Sequence, residues 1–280
     1  MAEFPRTKIE NISVPRLIIG TNWFMGFSHT SAAQSKFIKE LQTAKRIADV
    51  MEVFFKEGID TVLGGQPQDD HFIEAVKDVQ DRTGRKCIWI GTPTFDLSGT
   101  EEAESKNKKV LDAFAKKGCD ICMPHQATTD ALLDRRARKI RDIEPITAAI
   151  RERNMVPGLS THMPETPIYA DETGIDVATY IQMYNAAGFL MQIEVDWVHR
   201  MIWNRKKPVI TIKPLAAGRL QPLVGLAFSW ATIRDMDMVC IGCMTPDEAR
   251  EVIAISYSQL EHRASTVELQ RTRSKASVTE

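Results

Sequence analysis

Polar side chains that could move protons follow several short apolar runs of this chain. Asp60 lies in "GIDTVLGG", His125 ends "CDICMPH", His162 ends "MVPGLSTH", and Lys213 follows "PVITI". A carboxylate, two imidazoles and an amine are the groups that enzymes use for general acid–base catalysis. Lys213 could also form a Schiff base with a carbonyl substrate if burial lowers its pKa. These four are the predicted catalytic residues.

The same residues could instead bind a metal ion. Two histidines and one carboxylate suit a divalent metal with free coordination positions, so His125, His162 and Asp60 are candidate ligands. Four of the five cysteines form two C-x-x-C pairs, "CDIC" and "CIGC", inside apolar runs typical of strands. Residues three apart on a strand point to opposite faces, so we expect buried thiols there rather than a four-cysteine metal site.

Short apolar runs alternate with longer amphipathic ones along the chain. The apolar runs are 16–22, 59–65, 86–92, 119–125, 155–162, 176–185, 208–215 and 238–244, and the helical patterns between them include 35–57 and 130–153. Runs that are apolar throughout indicate strands buried on both faces, as in a parallel sheet. Eight β-then-α units predict an α/β fold, a single-domain (β/α)8 TIM barrel. The barrel is assigned to 1–262, with "RTKIENISVP" as an N-terminal hairpin or cap and 263–280 as a polar C-terminal tail.

A short repeat marks the positions at which helices are predicted to end and strands to begin. "KEGID", "KKGCD" and "ETGID" each place a glycine, Gly58, Gly118 or Gly174, where a left-handed residue would end a helix. The aspartate that follows is ordinarily a strand-entry residue at the bottom of the barrel. This interpretation suits the second and third copies, whereas the strand after Asp60 is so short that we assign Asp60 to the pocket.

In such barrels the C-terminal ends of the strands meet at one mouth, where substrates bind. Thr245 is predicted to cap a helix, with Glu248 completing a capping box, and its free N–H groups would favour an anion. Gly218 and Arg219 would supply the other half of that anion site. The residues at this mouth predicted to bind substrate or cofactor are Asn22, Trp23, Thr161, Asn185, Gly218, Arg219 and Thr245.

Composition excludes several classes of protein. The net charge of −1 argues against a nucleic-acid binder, which would carry a basic stripe. No apolar run reaches the length needed to span a bilayer, and "MAEFPRTKIE" lacks the apolar core of a signal peptide. We expect a cytoplasmic protein whose partner is a small-molecule substrate, with no nucleic acid and no membrane, and we leave a homo-oligomer open.

With these residues in place, the chain resembles the aldo/keto reductases, (β/α)8 barrels that use NADPH. "VPRLIIGTN" is similar to the opening strand of the family, and "GIDT" to the segment of its catalytic aspartate, here Asp60. "DICMPH" has the D-x-x-x-x-H spacing that places the active-site histidine at His125. "GLSTH" resembles the nicotinamide segment, with Ser160 and Thr161, while "KPLAAGRL" and "VCIGCMTPDEARE" resemble the phosphate segments. The resemblance implies the barrel fold and an NADP(H) site.

The chain departs from the family at the reaction centre. The catalytic tyrosine lies five residues beyond the aspartate, which is Gly65 here, and the lysine at the end of the third strand is Thr92. The aromatic residue that stacks on nicotinamide falls at Ile212, and Arg250 alone remains of the 2′-phosphate clamp. Gly65 would leave a corner of the pocket open to substrate, water or a metal. The following loop, Gln66, Asp69, Asp70 and His71, could supply replacement groups.

Three functions follow from these observations. The first is a small-molecule enzyme that acts on a polar carbonyl or sugar-like substrate by acid–base chemistry, as a lyase or isomerase. The second is a divergent NADP(H)-dependent reductase. The third is a binding or scaffold barrel without catalysis, because a fold alone does not establish a reaction.

Overall fold

Parallel strands alternate with helices in a computed structural model that describes residues 3–270 and Lys275. The strands are β1 (Arg6–Ile9), β2 (Ile12–Pro15), β3 (Leu17–Gly20), β4 (Thr61–Leu63), β5 (Ile88–Gly91), β6 (Ile121–Cys122), β7 (Leu133–Asp134), β8 (Lys139–Ile140), β9 (Val156–Pro157), β10 (Leu159–Thr161), β11 (Tyr180–Met183), β12 (Val209–Ile212) and β13 (Met238–Ile241). The helices are α1 (Asn22–Met25), α2 (Ala32–Leu41), α3 (Ala44–Lys56), α4 (Asp70–Thr83), α5 (Glu101–Lys116), α6 (Gln126–Thr129), α7 (Glu144–Arg151), α8 (Glu165–Thr173), α9 (Val195–Trp203), α10 (Pro222–Thr232) and α11 (Pro246–Leu260).

The main sheet is parallel and runs in the order β10-β11-β12-β13-β3-β4-β5-β6-β9. Its two outer members, β9 and β10, are halves of one strand interrupted at Gly158, whose N–H donates to the carbonyl of Cys122 at 3.2 Å. A Cβ at Gly158 would lie 2.7 Å from the Met123 side chain and 2.8 Å from the carbonyl of Thr179. Only glycine fits at this crossing, where the ring closes. The predicted eight-stranded (β/α)8 barrel is therefore confirmed.

The N-terminal hairpin closes the bottom of the barrel. β1 and β2 pair antiparallel, and their residues Ile9 and Val14 are fully buried in the same cluster as Ile18, Ile121 and Ile210 from the barrel interior. The alternating pattern of this segment puts one apolar face against the open end of the barrel, which removes that face from water. The predicted N-terminal cap is confirmed.

Asp60 lies at this capped end and not at the mouth. Its carboxylate accepts hydrogen bonds from the Arg6 guanidinium at 3.1 and 3.2 Å, and the same guanidinium donates to the carbonyl of Gly58 at 2.7 Å. β4 begins one residue later, so Leu63 is the residue that reaches the mouth. The prediction that Asp60 shares a pocket with the two histidines and Lys213 is wrong. Its strand is short, but it starts after the acid rather than before it.

Two of the predicted helices are interrupted. The pattern over 35–57 forms α2 and α3, because the Thr43 hydroxyl accepts the Arg46 N–H at 3.3 Å and starts a second helix. The pattern over 130–153 contains a 3₁₀ turn, the β7–β8 hairpin and then α7. The Asp134 carboxylate accepts the Ala137 N–H at 2.9 Å in that hairpin. Such a local bond gives the backbone N–H an alternative to the hydrogen bonds of a helix.

The remaining sequence expectations concern cysteines and the chain end. All five cysteines are buried free thiols, as expected. The boundary between barrel and tail at 262/263 stays a prediction, and 271–274 and 276–280 of that tail lie outside the described residues. Within the part of the chain that the structure describes, no helix is long and apolar enough to cross a membrane.

We predict that Asp60→Asn lowers the free energy of unfolding by about 1–2 kcal/mol, because it weakens a partly buried, charge-assisted pair that fastens the hairpin. Urea denaturation of the purified protein measures this. Asp235→Asn is the control, since Asp235 is fully exposed and only 3.5 Å from Arg16, and we expect a change under about 0.5 kcal/mol. Equal stability of the two variants would contradict the structural role of Asp60.

Candidate functional site

A cavity of about 950 Å³ opens at the C-terminal ends of the barrel strands. The predicted residues that line it are His125, His162, Lys213, Asn22, Trp23, Ser160, Gly218 and Arg219. Because all strands are parallel, the groups that follow each strand converge on this one mouth. Most of the predicted site residues therefore line this cavity, including three of the four groups predicted to be catalytic.

Three predicted binding residues have structural contacts instead. Thr161 is fully buried and its hydroxyl donates to the Asp130 carboxylate. Asn185 is also buried, and its side-chain amide bonds the backbone of Phe189 in both directions, at 2.9 and 3.1 Å. Thr245 accepts the Glu248 N–H at 3.2 Å and caps α11, as predicted. Their polar atoms are used by local backbone or side-chain partners, and none of the three is among the described residues that line the cavity.

His125 presents one nitrogen as a donor. It caps α6, and its Nδ1 accepts the backbone N–H of Ala127 at 3.2 Å. A backbone amide can only donate, so in the neutral ring the proton lies on Nε2. Burial, and then the positive charge of Lys213, lower the pKa of His125. The side chain is thus a neutral imidazole whose Nε2–H is able to donate to a substrate oxygen.

His162 follows β10 and is held by a partly buried carboxylate. Its backbone N–H donates to Asp130 at 3.1 Å, beside the bond from the Thr161 hydroxyl to the other oxygen of that carboxylate. Burial, followed by the charge of Lys213, lowers the pKa of His162 to about 4. The imidazole is therefore neutral at neutral pH and able to accept a proton.

Sequence reasoning missed His29 as a pocket residue. It lies in the loop between α1 and α2, lines the cavity, and has its Nε2 2.8 Å from the side-chain nitrogen of Asn22. Although the side chain is solvent-exposed at the rim, partial desolvation and then the charge of Lys213 lower its pKa. The signal for His29 was its place beyond Trp23 in the segment that follows a barrel strand.

Lys213 is the cationic centre of the pocket. It directly follows β12 and has a left-handed backbone, with φ of 60°. Burial lowers the pKa of its amine, and the nearby Cys240 thiol acts in the opposite direction. Among the described residues, no carboxylate forms an ion pair or hydrogen bond with it. A half-buried amine without a counterion loses its proton more readily than an exposed lysine does.

The candidate metal ligands do not come together. Asp60 bonds Arg6 at the opposite end of the barrel, which leaves His125 and His162 without the carboxylate predicted beside them. Over residues 3–270 and Lys275, no group of three or more His, Cys, Asp or Glu side chains is placed to hold a metal ion.

The corner beside Gly65 is filled rather than open. Gly65 has φ of 76°, and a Cβ there would lie 2.5 Å from the ring of Phe72, which is fully buried. Of the loop expected to supply replacement groups, Gln66 lines the cavity, whereas Asp69 caps α4 by accepting the Phe72 N–H at 3.0 Å. Asp70 and His71 are exposed. The expectation of extra space and substitute acids at this corner is wrong, because the first turn of α4 occupies it.

The residues present fit NADP(H) poorly. Two carboxylates, Glu248 and Glu251, line the cavity near the start of α11, where a nucleotide phosphate would need cations. The Glu248 carboxylate already accepts the Met244 N–H at 2.6 Å. Arg250 is exposed and bonds Asp247 at 2.5 Å, away from the mouth. With Gly65 and Thr92 also in the lining, the chain lacks the proton donor and the clamp that the family resemblance implies.

We predict that stability falls as pH drops from about 7 to about 5, partly through His162. Its folded-state pKa of about 4 lies below the ordinary value of 6.5, so the unfolded chain takes up a proton first and acid favours unfolding. His162→Gln should reduce this loss by about 1 kcal/mol, allowing for solvent screening, in urea titrations at each pH. His71→Gln, at an exposed site, should leave the loss unchanged, and identical pH curves for both variants would contradict the prediction.

Comparisons with known proteins agree on the fold. No protein-family model matches the chain, and no curated protein is similar to it. A solved structure from Pseudomonas aeruginosa, assigned to the aldo-keto reductases, aligns with a TM-score of 0.66 at 14% identity, over 91% of this chain and 94% of that one. An aldo/keto reductase from Klebsiella pneumoniae, in complex with NADP and acetate, aligns with a TM-score of 0.55 at 16% identity, over 95% and 92%. A glycerol dehydrogenase from Gluconobacter oxydans aligns with a TM-score of 0.54 at 11% identity, over 96% and 99%. At these identities the similarity establishes the architecture: the chain is a divergent (β/α)8 barrel with the fold of the aldo-keto reductases.

Proposed function

We propose that this protein is an enzyme that acts on a small polar carbonyl compound through a Schiff base at Lys213, as a lyase or isomerase. The observation that carries the proposal is the unpaired, half-buried amine of Lys213 at the mouth of the barrel. A lysine nucleophile needs a free lone pair, and desolvation without a counterion is one way in which proteins provide it. The substrate class follows from the polar lining, which offers imidazole, hydroxyl and amide groups.

The backbone at Lys213 supports a functional role. Lys213, Ala216 and Ala217 all have positive φ, between 50° and 60°, within five residues. Non-glycine residues adopt this region at an energetic cost, and such strain concentrates at functional sites. The Ala216 N–H donates to the carbonyl of Lys213 at 2.9 Å, so the strained turn is held by its own hydrogen bond. This turn fixes the direction in which the lysine leaves β12.

The neutral histidines assist the proposed reaction. The Nε2–H of His125 would hydrogen-bond to the substrate carbonyl oxygen while the Lys213 nitrogen attacks the carbonyl carbon, and the oxygen takes one proton from the attacking nitrogen. A C–N bond forms, a second proton from solvent lets the oxygen leave as water, and a protonated imine remains. The imine attracts electrons from a neighbouring C–C or C–H bond, and His162 would take the proton that this cleavage releases.

A non-catalytic barrel is the weaker alternative. A binding scaffold has no need of a desolvated amine next to imidazoles, because an uncompensated buried charge lowers stability. Sites that combine a perturbed lysine with perturbed histidines in one cleft are typical of enzymes. These features favour catalysis over binding alone.

We predict that sodium borohydride traps carbonyl compounds on Lys213. A panel of small aldehydes and ketones is incubated with the protein and reduced, and the adduct is located by peptide mass spectrometry. Lys213→Met should abolish the adduct, and Lys213→Arg should do so while keeping the positive charge. Lys207→Met is the matched control, because Lys207 is bound to Asp171 at 3.4 Å outside the mouth. Adducts spread over surface lysines, with none at Lys213, would sink the proposal.

We also predict that NADPH does not bind at the mouth. Trp23 lines the cavity, so a bound dinucleotide would quench its fluorescence. Titration to millimolar NADPH should change the tryptophan fluorescence of the unsubstituted protein no more than it changes that of Trp23→Phe. Saturable quenching that Trp23→Phe removes would instead favour the reductase alternative.

A further inference from the structure

The amine of Lys213 lines a pocket in which no described carboxylate forms an ion pair with it. Asp60 bonds Arg6 at the far end of the barrel, and Asp130 is engaged behind the pocket wall by Thr161 and the His162 backbone. Glu248 and Glu251 do line the cavity, on α11. Neither forms an ion pair with Lys213 within the described chain, and Glu248 accepts a backbone N–H.

A Schiff base at Lys213 would need a nearby negative charge more than the free amine does. The free amine can lose its proton and become neutral, but a protonated imine carries a positive charge throughout its lifetime. A positive charge held in a half-buried site without an anion is destabilised, because it has lost part of its hydration and has no partner to replace it. A carboxylate within a few ångströms would remove most of that destabilisation, and no carboxylate described by the structure is paired with this amine.

Several neutral donors line the same cavity. His125 has its proton on Nε2, the Ser160 hydroxyl lies in the wall, and Gln126 adds a side-chain amide at the start of α6. Neutral donors can hydrogen-bond a carboxylate without cancelling its charge. They therefore suit an anion that must remain negative in order to compensate the imine.

We infer that the substrate itself brings the missing charge and is a 2-oxo acid, with its carboxylate bonded to the carbonyl carbon that Lys213 attacks. This inference rests on the proposed Schiff-base function. The position of the charge is what selects this class, since a carboxylate on the carbonyl carbon lies next to the imine nitrogen. A phosphate at the far end of a sugar would be several bonds away.

The first step of the reaction is addition of the amine to the carbonyl group. The lone pair of the neutral amine forms the C–N bond while the C=O π electrons move to oxygen, which takes one proton from the attacking nitrogen. A second proton, from solvent through an imidazole, converts the hydroxyl of the carbinolamine into water, which leaves as the nitrogen lone pair forms the C=N bond. The product is a protonated imine beside a carboxylate, so the pair of reacting groups is neutral overall.

The test compares matched carbonyl compounds that differ in charge. The full-length protein is incubated at neutral pH with pyruvate or hydroxyacetone, which has CH2OH in place of the carboxylate, and is then reduced with borohydride. Glyoxylate and glycolaldehyde form a second pair. Intact-protein mass spectrometry gives the yield at equal concentration, peptide mapping locates it, and Lys213→Arg measures the background. We expect the 2-oxo acid of each pair to label Lys213 at least about tenfold more, which corresponds to about 1.4 kcal/mol.

The outcomes distinguish failure of the 2-oxo acid assignment from failure of the Schiff-base function. Equal labelling of Lys213 by both members of each pair would overturn the 2-oxo acid assignment while leaving the Schiff-base function intact. Preferential labelling by the uncharged members would also overturn it and point to a neutral sugar-like substrate. Absence of any Lys213 adduct, with the lysine accessible to a small amine-reactive reagent, would overturn both.

Discussion

Parallel hydrogen bonding around a closed ring is the constraint on which the pocket depends. Each strand must run in the same direction as its neighbours, so every strand delivers its last residue to the same end. The ring closes at Gly158, where a side chain would strike Met123 and the carbonyl of Thr179. Closure places residues from distant segments, such as Asn22, His125 and Lys213, around one mouth. The opposite end is sealed by the hairpin, which Arg6 fastens to Asp60.

The charges of the pocket follow from that convergence. Lys213 is half buried and lowers the pKa of His29, His125 and His162, on top of the effect of burial. The histidines remain neutral for the same reason that the lysine readily loses its proton: each additional positive charge would be added to a poorly solvated cluster. Asp130 supports the cluster from behind through Thr161 and the His162 backbone, and burial raises the pKa of this carboxyl. The result is a site in which uncharged imidazoles lie near one nucleophilic amine.

The barrel and the reaction centre have different relationships to the aldo-keto reductases. Their architecture is present over nearly the whole chain, while Gly65, Thr92 and Ile212 occupy the positions at which the family resemblance implies a tyrosine, a lysine and an aromatic ring. A side chain would not fit at Gly65, since the Phe72 ring occupies the space beside it. A fold of this kind hosts many chemistries through its strand ends and loops. The site must therefore be understood from its own groups, of which Lys213 is the most unusual.

The sequence by itself determined the eight-fold alternation of strand and helix and the side chains that end the strands. Hydrophobic periodicity is a local property, so His125, His162 and Lys213 could be assigned to one mouth before any contact was known. Only the tertiary structure decided the depth of each residue along its strand and the partners of each polar group. Asp60 immediately precedes β4 and Leu63 ends it, so the two lie at opposite ends of one short segment. The contact of Asp60 with the hairpin and the pairing of β4 with β5 fix this placement. The structure adds His29 to the residues that line the cavity and removes Thr161 and Asn185 from them. The sequence did not predict these changes, because a local sequence pattern does not reveal which partner a polar side chain will hydrogen-bond.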